Sequence, residues 1–164
     1  MTGTPGTGKT SATARLETDL EIVHLNDVIE DRDFVTDRDD ARDTLVADLD
    51  ALREWLGDRE DVLIESHLAH HLPVDRVVVL RCHPAELERR LQDRGEPADT
   101  AAENAESEAL DVILTEAVLT HGEDSVFEIE TTDRPPEAVA REIAAVLRGD
   151  RKPSAGTVSY VDYL

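Results

Sequence analysis

The sequence predicts an α/β fold in which a mostly parallel sheet is sandwiched between two layers of helices. Strand and helix patterns alternate along the whole chain, which is typical of this class. Two strand patterns, residues 62–65 and 77–82, are apolar enough to be buried on both faces. A glycine-rich loop at residues 3–10 runs directly into a helical pattern. With 164 residues, of which 40% are hydrophobic, the chain suits one domain with an aliphatic core.

The individual elements follow from apolar spacing, with a period of three to four residues for helices and short apolar runs for strands. In chain order the sequence predicts a helix beginning at about Gly8, a strand at 22–24, a helix over about 45–56 that Gly57 ends, strands at 62–65 and 77–82, a helix from Pro84 to about Arg94, a helix from about Ala101 to Thr120, a strand at 126–129 and a closing helix after Pro135 and Pro136. Residues 149–156 are predicted to form a linker, and residues 160–164 a docked end.

The charge balance predicts a protein of a salt-rich cytoplasm. Acidic residues number 38 against 17 basic ones, the net charge is −21, and only Lys9 and Lys152 are lysines. Such a surface holds water and hydrated cations and stays soluble where salt screens charge repulsion. The lone Cys82 agrees with a reducing compartment, and no apolar run reaches membrane-spanning length. Direct nucleic-acid binding is not expected, because the net charge would repel phosphate backbones.

Residues Gly3–Thr10, here called the phosphate loop, match the pattern G-x-x-x-x-G-K-[ST] at every fixed position and add Gly6. Glycines let backbone N–H groups converge on a triphosphate, where side chains would block the approach. Lys9 would bring a positive charge to the β- and γ-phosphates, and the Thr10 hydroxyl would bind Mg²⁺. A flexible Gly/Thr/Pro-rich arm is the alternative, but the small, helix-compatible residues after Lys9 favour a site for ATP.

Only Met1 and Thr2 precede Gly3, so the strand that should support the phosphate loop is missing from the sequence. Either the start site is misassigned, or the sheet lacks its central strand. A phosphate loop normally follows a buried strand. Without it, we expect the neighbouring sheet edges to lose hydrogen bonds and the protein to be weakened or inactive. Adding about five apolar residues upstream should then raise thermal stability and ATP binding. No change in either would refute this expectation.

A carboxylate ends the strand pattern at 62–65. Glu65 stands where a metal-organising acid is expected beside the phosphate loop, and His67 follows on the loop above the sheet. Glu65 as a surface strand end remains an alternative, as does a structural hydrogen bond for His67 in place of a role in orienting water or contacting phosphate. His70 and His71 are close by, but without cysteines or a second ligand cluster we do not expect a metal site there.

Several motifs together resemble one known family. They are the loop from Gly3 to Ser11, the strand end Glu65-Ser66-His67, the strand end Leu80-Arg81 followed by Leu87-x-x-Arg90-Leu91-x-x-Arg94-Gly95, and Glu103-Asn104-x-Glu106. In these motifs and over nearly its whole length, the chain resembles the adenylate kinase isoenzyme 6 family in its archaeal form. The loop alone indicates only a P-loop kinase, whereas the acid-x-His and Arg-Leu-x-x-Arg-Gly elements narrow the resemblance to this family.

The resemblance implies a P-loop kinase-like three-layer sandwich with a five-stranded parallel sheet. Residues 1–149 would form the nucleoside monophosphate kinase domain, with a monophosphate-binding segment at 24–47 that includes Asp27, a lid at 93–103 and a tail at 150–164. The implied reaction is ATP + AMP ⇌ 2 ADP with Mg²⁺, with tolerance of other nucleoside monophosphates and a slow ATPase. A role in small ribosomal subunit maturation beside a small-subunit ribosomal protein is also implied. An ATP-switched assembly factor, or a kinase for another small metabolite, stays open.

The resemblance also assigns residues to roles. Those that would hold ATP are Gly3, Gly6, Gly8, Lys9, Thr10, Ser11 and Arg94; Thr10 and Glu65 would bind the metal; Lys9, Arg94, Glu65 and His67 would act in catalysis; Thr131 and Thr132 would approach the adenine. Arg94 closes a helix before Gly95, a position from which a guanidinium can swing onto phosphate oxygens, although surface helices also often end in arginine. Among Arg81, Arg89 and Arg90, we expect Arg81 to reach the active cleft.

Overall fold

The computed structural model describes residues 1–39 and 44–164 and confirms the α/β class. The helices are α1 Lys9–Thr13, α2 Leu25–Arg32, α3 Leu49–Leu56, α4 Pro84–Asp93, α5 Ala98–Ala109, α6 Val112–His121 and α7 Pro136–Arg148. The strands are β1 Glu21–His24, β2 Val35–Asp39, β3 Thr44–Ala47, β4 Val62–Glu65, β5 Val77–Arg81 and β6 Val126–Glu130. None of the helices in these described ranges has the length and apolar character that crossing a membrane requires.

Parallel strands pair in two blocks, β1 with β4 and β5 with β6. Met1 and Thr2 lie between the blocks and join them. The Thr2 N–H donates to the Val78 carbonyl at 2.8 Å, and the Leu80 N–H donates to the Thr2 carbonyl at 2.9 Å. On the other side the Met1 nitrogen donates to the Ile64 carbonyl at 2.7 Å. Residues 1–2 therefore occupy the place of a central strand at the carboxyl end of the sheet.

The amino end of that central place is open. A groove of about 610 Å³ runs there between β4 and β5, with Leu63, Val77 and Val146 among its lining residues. The expected loss of backbone hydrogen bonds is therefore wrong beside the phosphate loop, where Met1 and Thr2 make them. That the protein is weakened or inactive stays a prediction.

Helices cover both faces of the sheet. Alternate residues of β5 point to opposite faces: Val78 and Leu80 pack in the cluster that contains α7, whereas Val77 and Val79 pack against α6. The helices α2 and α3 form a further apolar cluster with β4. This arrangement gives the predicted three layers, with the core on both sides of buried strands.

The structure corrects two predicted helices. Residues 44–47 form β3, which pairs antiparallel with β2, and the helix begins only at Leu49. There the Asp48 carboxylate caps it by accepting from two N–H groups of the first turn. The long helix predicted over 101–120 is two helices, α5 and α6, because Asp111 adopts a left-handed φ of 54° and its carboxylate pairs with Arg81.

The segment after α7 packs against β6, so the linker prediction is wrong for residues 154–156. The Ser154 N–H donates to the Val126 carbonyl at 3.0 Å, and the Thr157 N–H donates to the Glu128 carboxylate at 2.6 Å. Tyr160, in the predicted docked end, is buried. The buried carboxylate of Glu128 needs donors, and this segment supplies them.

Candidate active site

The phosphate loop lies at the carboxyl end of the sheet and leads into α1. Its geometry requires glycine at two points. A Cβ on Gly3 would come within 2.5 Å of the Leu80 carbonyl oxygen, so a side chain would push the loop off β5. Gly8 has a φ of 91° immediately before the first helical residue, in a region that other residues avoid. The close approach to β5 and the turn into α1 fix the loop at the sheet edge.

Lys9 is a buried cation without an acidic partner. It is 9% exposed, and its Nζ donates to the carbonyl oxygens of Gly3 at 2.7 Å and Thr4 at 3.1 Å. No carboxylate of residues 1–39 and 44–164 forms an ion pair with it. The pKa of Lys9 is lowered to about 8, chiefly by burial and to a lesser degree by the positive charge of Arg94, while Glu65 and Glu108 act in the opposite direction. At neutral pH the lysine is therefore charged but unneutralised, which favours an incoming anion.

Thr10 and Glu65 lie together, as the sequence predicts. The Thr10 hydroxyl is 3.5 Å from both carboxylate oxygens of Glu65, and Glu65 is buried. Hydroxyl and carboxylate oxygens are the ligands that Mg²⁺ prefers in proteins. Both residues line a pocket of about 320 Å³ together with His24, Asn26 and Asp27. The residues present therefore suit a magnesium ion at the mouth of the phosphate loop.

The sequence places His24 at the start of the monophosphate-binding segment but does not predict its contact with Glu65. His24 ends β1, and its Nδ1 lies 2.7 Å from an oxygen of Glu65. The parallel register pairs His24 with Glu65 directly. The sequence contains a polar residue at the carboxyl end of each of these two strands. That pattern indicates a contact only when the two strands are known to be neighbours.

His67 lies on the loop after β4, half-buried beside the phosphate loop. Burial lowers its pKa to about 4, and the charge of Lys9 acts in the same direction. The imidazole is therefore neutral at neutral pH and can accept or donate one hydrogen bond. Within the described part of the chain the His67 ring makes no hydrogen bond. The alternative role, a structural hydrogen bond, is therefore not supported there.

Arg94 is exposed at the carboxyl end of α4, in the connection 94–97 that leads to α5. Its side chain forms no ion pair with the residues that the structure describes, yet its charge acts on Lys9. Gly95, with a φ of 91°, follows it directly. Arg94 is thus near the phosphate loop, and no ion pair among the described residues holds its guanidinium. Ser11 is exposed in the first turn of α1.

The expectation that Arg81 reaches the active cleft is wrong. Its side chain is 1% exposed and is held by Glu108, Glu128 and Asp111. A guanidinium saturated by carboxylates cannot bind a phosphate. The neighbouring Thr131 is also buried and donates its hydroxyl to the Arg81 carbonyl at 2.9 Å, so an approach of Thr131 to the adenine stays a prediction.

Glu108 on α5 connects the phosphate loop to this buried arginine. One of its oxygens accepts from the Thr4 hydroxyl, and the other accepts from Arg81 at 2.8 Å and from the Cys82 N–H at 3.1 Å. Glu108 is thus a positioning residue that holds the outer side of the loop. No local pattern in the sequence identifies it, because its partners are distant along the chain.

Comparison with known proteins agrees with this geometry. Residues 1–111 match the family described as AAA domain. A protein of Natronomonas pharaonis named "Putative adenylate kinase" is 58% identical over 164 residues, covering 100% of this chain and 98% of the relative. Proteins of the same name from Halobacterium salinarum and Methanosarcina acetivorans are 58% identical over 165 residues (100% of this chain, 98% of the relative) and 42% identical over 159 residues (90% and 84%). The chain therefore belongs to the same archaeal adenylate kinase family as these relatives, as its motifs predicted.

Proposed function

We propose that the protein is a nucleoside monophosphate kinase of adenylate kinase type that catalyses ATP + AMP ⇌ 2 ADP. The observation that carries the proposal is a buried Lys9 inside the phosphate loop, next to Thr10 and Glu65, which line a pocket there. The relatives' name points to the same reaction.

The triphosphate of ATP would lie against the phosphate loop. The Lys9 ammonium would leave the carbonyl oxygens of Gly3 and Thr4 and bind the β- and γ-phosphates instead. A charged acceptor binds an ammonium more strongly than a neutral one does. The N–H groups of Gly6 and Gly8 and the start of α1, with Thr10 and Ser11, would complete the cradle.

The oxygens of Thr10 and Glu65 would hold Mg²⁺. When bound, this ion neutralises negative charge on the β- and γ-phosphates. His24, 2.7 Å from one oxygen of Glu65, would hold the carboxylate beside Thr10. The chain's own contribution is thus to orient two hard oxygen ligands before substrate arrives.

The acceptor would occupy the pocket of about 320 Å³ that His24, Asn26 and Asp27 line, at the start of the monophosphate-binding segment at 24–47. Positioning of the two nucleotides would supply most of the rate. Arg94, moving with the lid at 93–103, would offset charge on the transferring phosphoryl group. Neutral His67 would orient a water in the slower ATPase reaction.

An assay of ADP formation from Mg·ATP, with and without AMP and in concentrated KCl, tests the proposal. AMP should stimulate the rate strongly, and a panel of other monophosphates should stimulate it to differing degrees. Lys9→Ala should abolish turnover, whereas Lys152→Ala, at the other lysine of the chain, should leave it unchanged. Full activity in Lys9→Ala would contradict the proposed site.

One observation favours a second function. A net charge of −21 suits a basic protein partner, and the family resemblance implies a small-subunit ribosomal protein. In that case ATP hydrolysis would release the partner during ribosome assembly and phosphotransfer would be incidental. ATP hydrolysis without AMP stimulation, together with ATP-dependent release of a purified basic ribosomal protein, would favour this switch over the kinase.

A further inference from the structure

A cluster of three metal-ligating side chains lies outside the candidate active site. His70 and His71 follow β4 in a short turn, and α6 brings Glu116 against them. His70 Nε2 is 2.9 Å from a Glu116 oxygen, and His71 Nε2 is 3.9 Å from the same oxygen. One ligand atom from each residue lies within 4.8 Å of the other two. The third ligand, which the sequence did not reveal, therefore comes from a distant helix.

Hydrogen-bond contacts hold the His70 ring at both nitrogens. Thr2 Oγ1 lies 3.0 Å from His70 Nδ1 and 3.2 Å from the His67 carbonyl oxygen. His70 Nε2 lies 2.9 Å from a Glu116 oxygen. The ring is therefore fixed with Nε2 directed at the carboxylate.

The three ligand atoms are close enough together to bind one ion. The His70 nitrogen and the Glu116 oxygen are 2.9 Å apart, and the ligand atom of His71 lies within 4.8 Å of both. The His70 ring is 1% exposed, so it is held in place before an ion arrives. A metal ion would replace the hydrogen bond between His70 and Glu116 and would bind both side chains.

We propose that His70, His71 and Glu116 bind a divalent transition-metal ion, with Zn²⁺ as the best fit to two imidazoles and one carboxylate. Access is open, because the side chains of His71 and Glu116 are 30% and 44% exposed. Three protein ligands leave a fourth position for water. The Thr2 hydroxyl would act as the outer partner that fixes the His70 ring, as is usual for metal-bound histidines.

His121 has a different task in this cluster. Its Nε2 lies 2.7 Å from the backbone carbonyl of His70 and donates to it, so it holds the turn rather than the ion. A metal here would tie α6 to the turn after β4. Because Thr2 contacts His70 and directly precedes Gly3, the metal would also help to hold the start of the phosphate loop in place.

Calorimetric titration of chelator-treated protein with ZnCl₂, free of Mg²⁺ and ATP, tests the proposal. We expect one saturable site per chain and a rise in melting temperature on binding. His71→Gln and Glu116→Gln should each weaken binding by at least 100-fold, more than the ~10–100-fold typical of losing an outer partner, and Thr2→Val should weaken it by that smaller factor. Co²⁺ in place of Zn²⁺ should give visible absorption that His71→Gln removes.

Matched controls are His83→Gln and Glu123→Gln, which change an exposed histidine and an exposed glutamate elsewhere and should bind like the parent chain. Because His71 and Glu116 are partly exposed, their variants are expected to fold, which the melting temperature of the metal-free proteins checks. Absence of saturable binding would overturn the proposal. So would undiminished affinity in both ligand variants, or loss of binding in His24→Gln, which would place the ion at the nucleotide pocket.

Discussion

Lys9 and Arg81 are both buried cations near the carboxyl end of the sheet, yet their surroundings are opposite. Among the residues that the structure describes, Lys9 Nζ donates only to carbonyl oxygens, whereas three carboxylates surround Arg81. Burial lowers the pKa of Lys9 to about 8. Burial acts in the same sense on Arg81, but Glu108 and Asp111 outweigh it and raise its pKa.

The difference separates a binding charge from a structural one. A buried cation that lacks an anion is costly and becomes stable when an anionic ligand arrives. A buried cation that is already neutralised contributes to the fold and has nothing left to offer a ligand. Glu108 joins the two regions, since it bonds to Arg81 and to Thr4 of the phosphate loop.

The largest expected effect is on stability. Arg81→Met should lower the free energy of unfolding by about 3–5 kcal/mol, because it leaves the buried carboxylates of Glu108 and Glu128 without a countercharge. Lys9→Met should change it by no more than about 1.5 kcal/mol, since only two neutral acceptors lose a donor. Denaturant unfolding of both variants in the same KCl concentration measures this contrast. Equal destabilisation would remove the distinction between the two cations.

A second prediction concerns the cation that is free to move. Arg94→Ala should lower kcat by about 100-fold or more, because it removes a donor to the transferring phosphate, and should leave unfolding unchanged because Arg94 is exposed. Arg89→Ala is the control: this arginine is also exposed but pairs with Glu86 and Asp93, so kcat should stay near the parent value. Similar rates for the two variants would remove Arg94 from the mechanism.

The link between the regions can be cut at Thr4. Thr4→Val should cost about 1.5–3 kcal/mol of stability and weaken Mg·ATP binding, because a buried oxygen of Glu108 loses its donor. Thr7→Val provides the comparison, since Thr7 donates only to the neutral carbonyl of Thr4 at 2.8 Å and should cost about 1 kcal/mol. If Thr7→Val were the more damaging of the two, the charged link would not matter.

The smallest expected effect is a pH dependence. Above pH 8 free Lys9 loses its proton, so Mg·ATP affinity should fall by up to tenfold per pH unit. The free energy of unfolding should change in the opposite direction. The unfolded lysine has a pKa of 10.5, so between pH 8 and 10.5 the unfolded chain binds more protons at this residue than the folded chain does. The free energy of unfolding therefore rises with pH in that range. Affinities and unfolding midpoints from pH 7 to 10 test both slopes, with Lys9→Arg as the control expected to be flat.

The parts of the site that could be predicted from the sequence are those with local sequence patterns. The phosphate loop and the strand end at Glu65 were predictable because their signals are local, a spacing of glycines and an acid after an apolar run. The structure brings Lys9, Thr10 and Glu65 together, while their catalytic roles remain predictions. The contact of His24 with Glu65 was not predictable, because it depends on the pairing of β1 with β4.

Long-range ion pairs account for the errors. The break between α5 and α6 at Asp111 follows from its pairing with Arg81, which overrides an uninterrupted helical spacing. The tail docks because buried Glu128 needs donors, although Pro153 and Gly156 give the segment the composition of a linker. β3 was predicted as helix because Leu45 falls in register with Leu49 and Leu52, and spacing alone cannot detect its pairing with β2.

Calorimetric titration with Mg·ATP in concentrated KCl tests the central claim most directly, namely that Lys9 is a charge held ready for the triphosphate. We predict one site per chain in the parent protein, the same affinity in Lys152→Met, and no measurable binding in a folded Lys9→Met variant. Binding by Lys9→Met at the parent affinity, or no binding by the folded parent chain, would contradict the account.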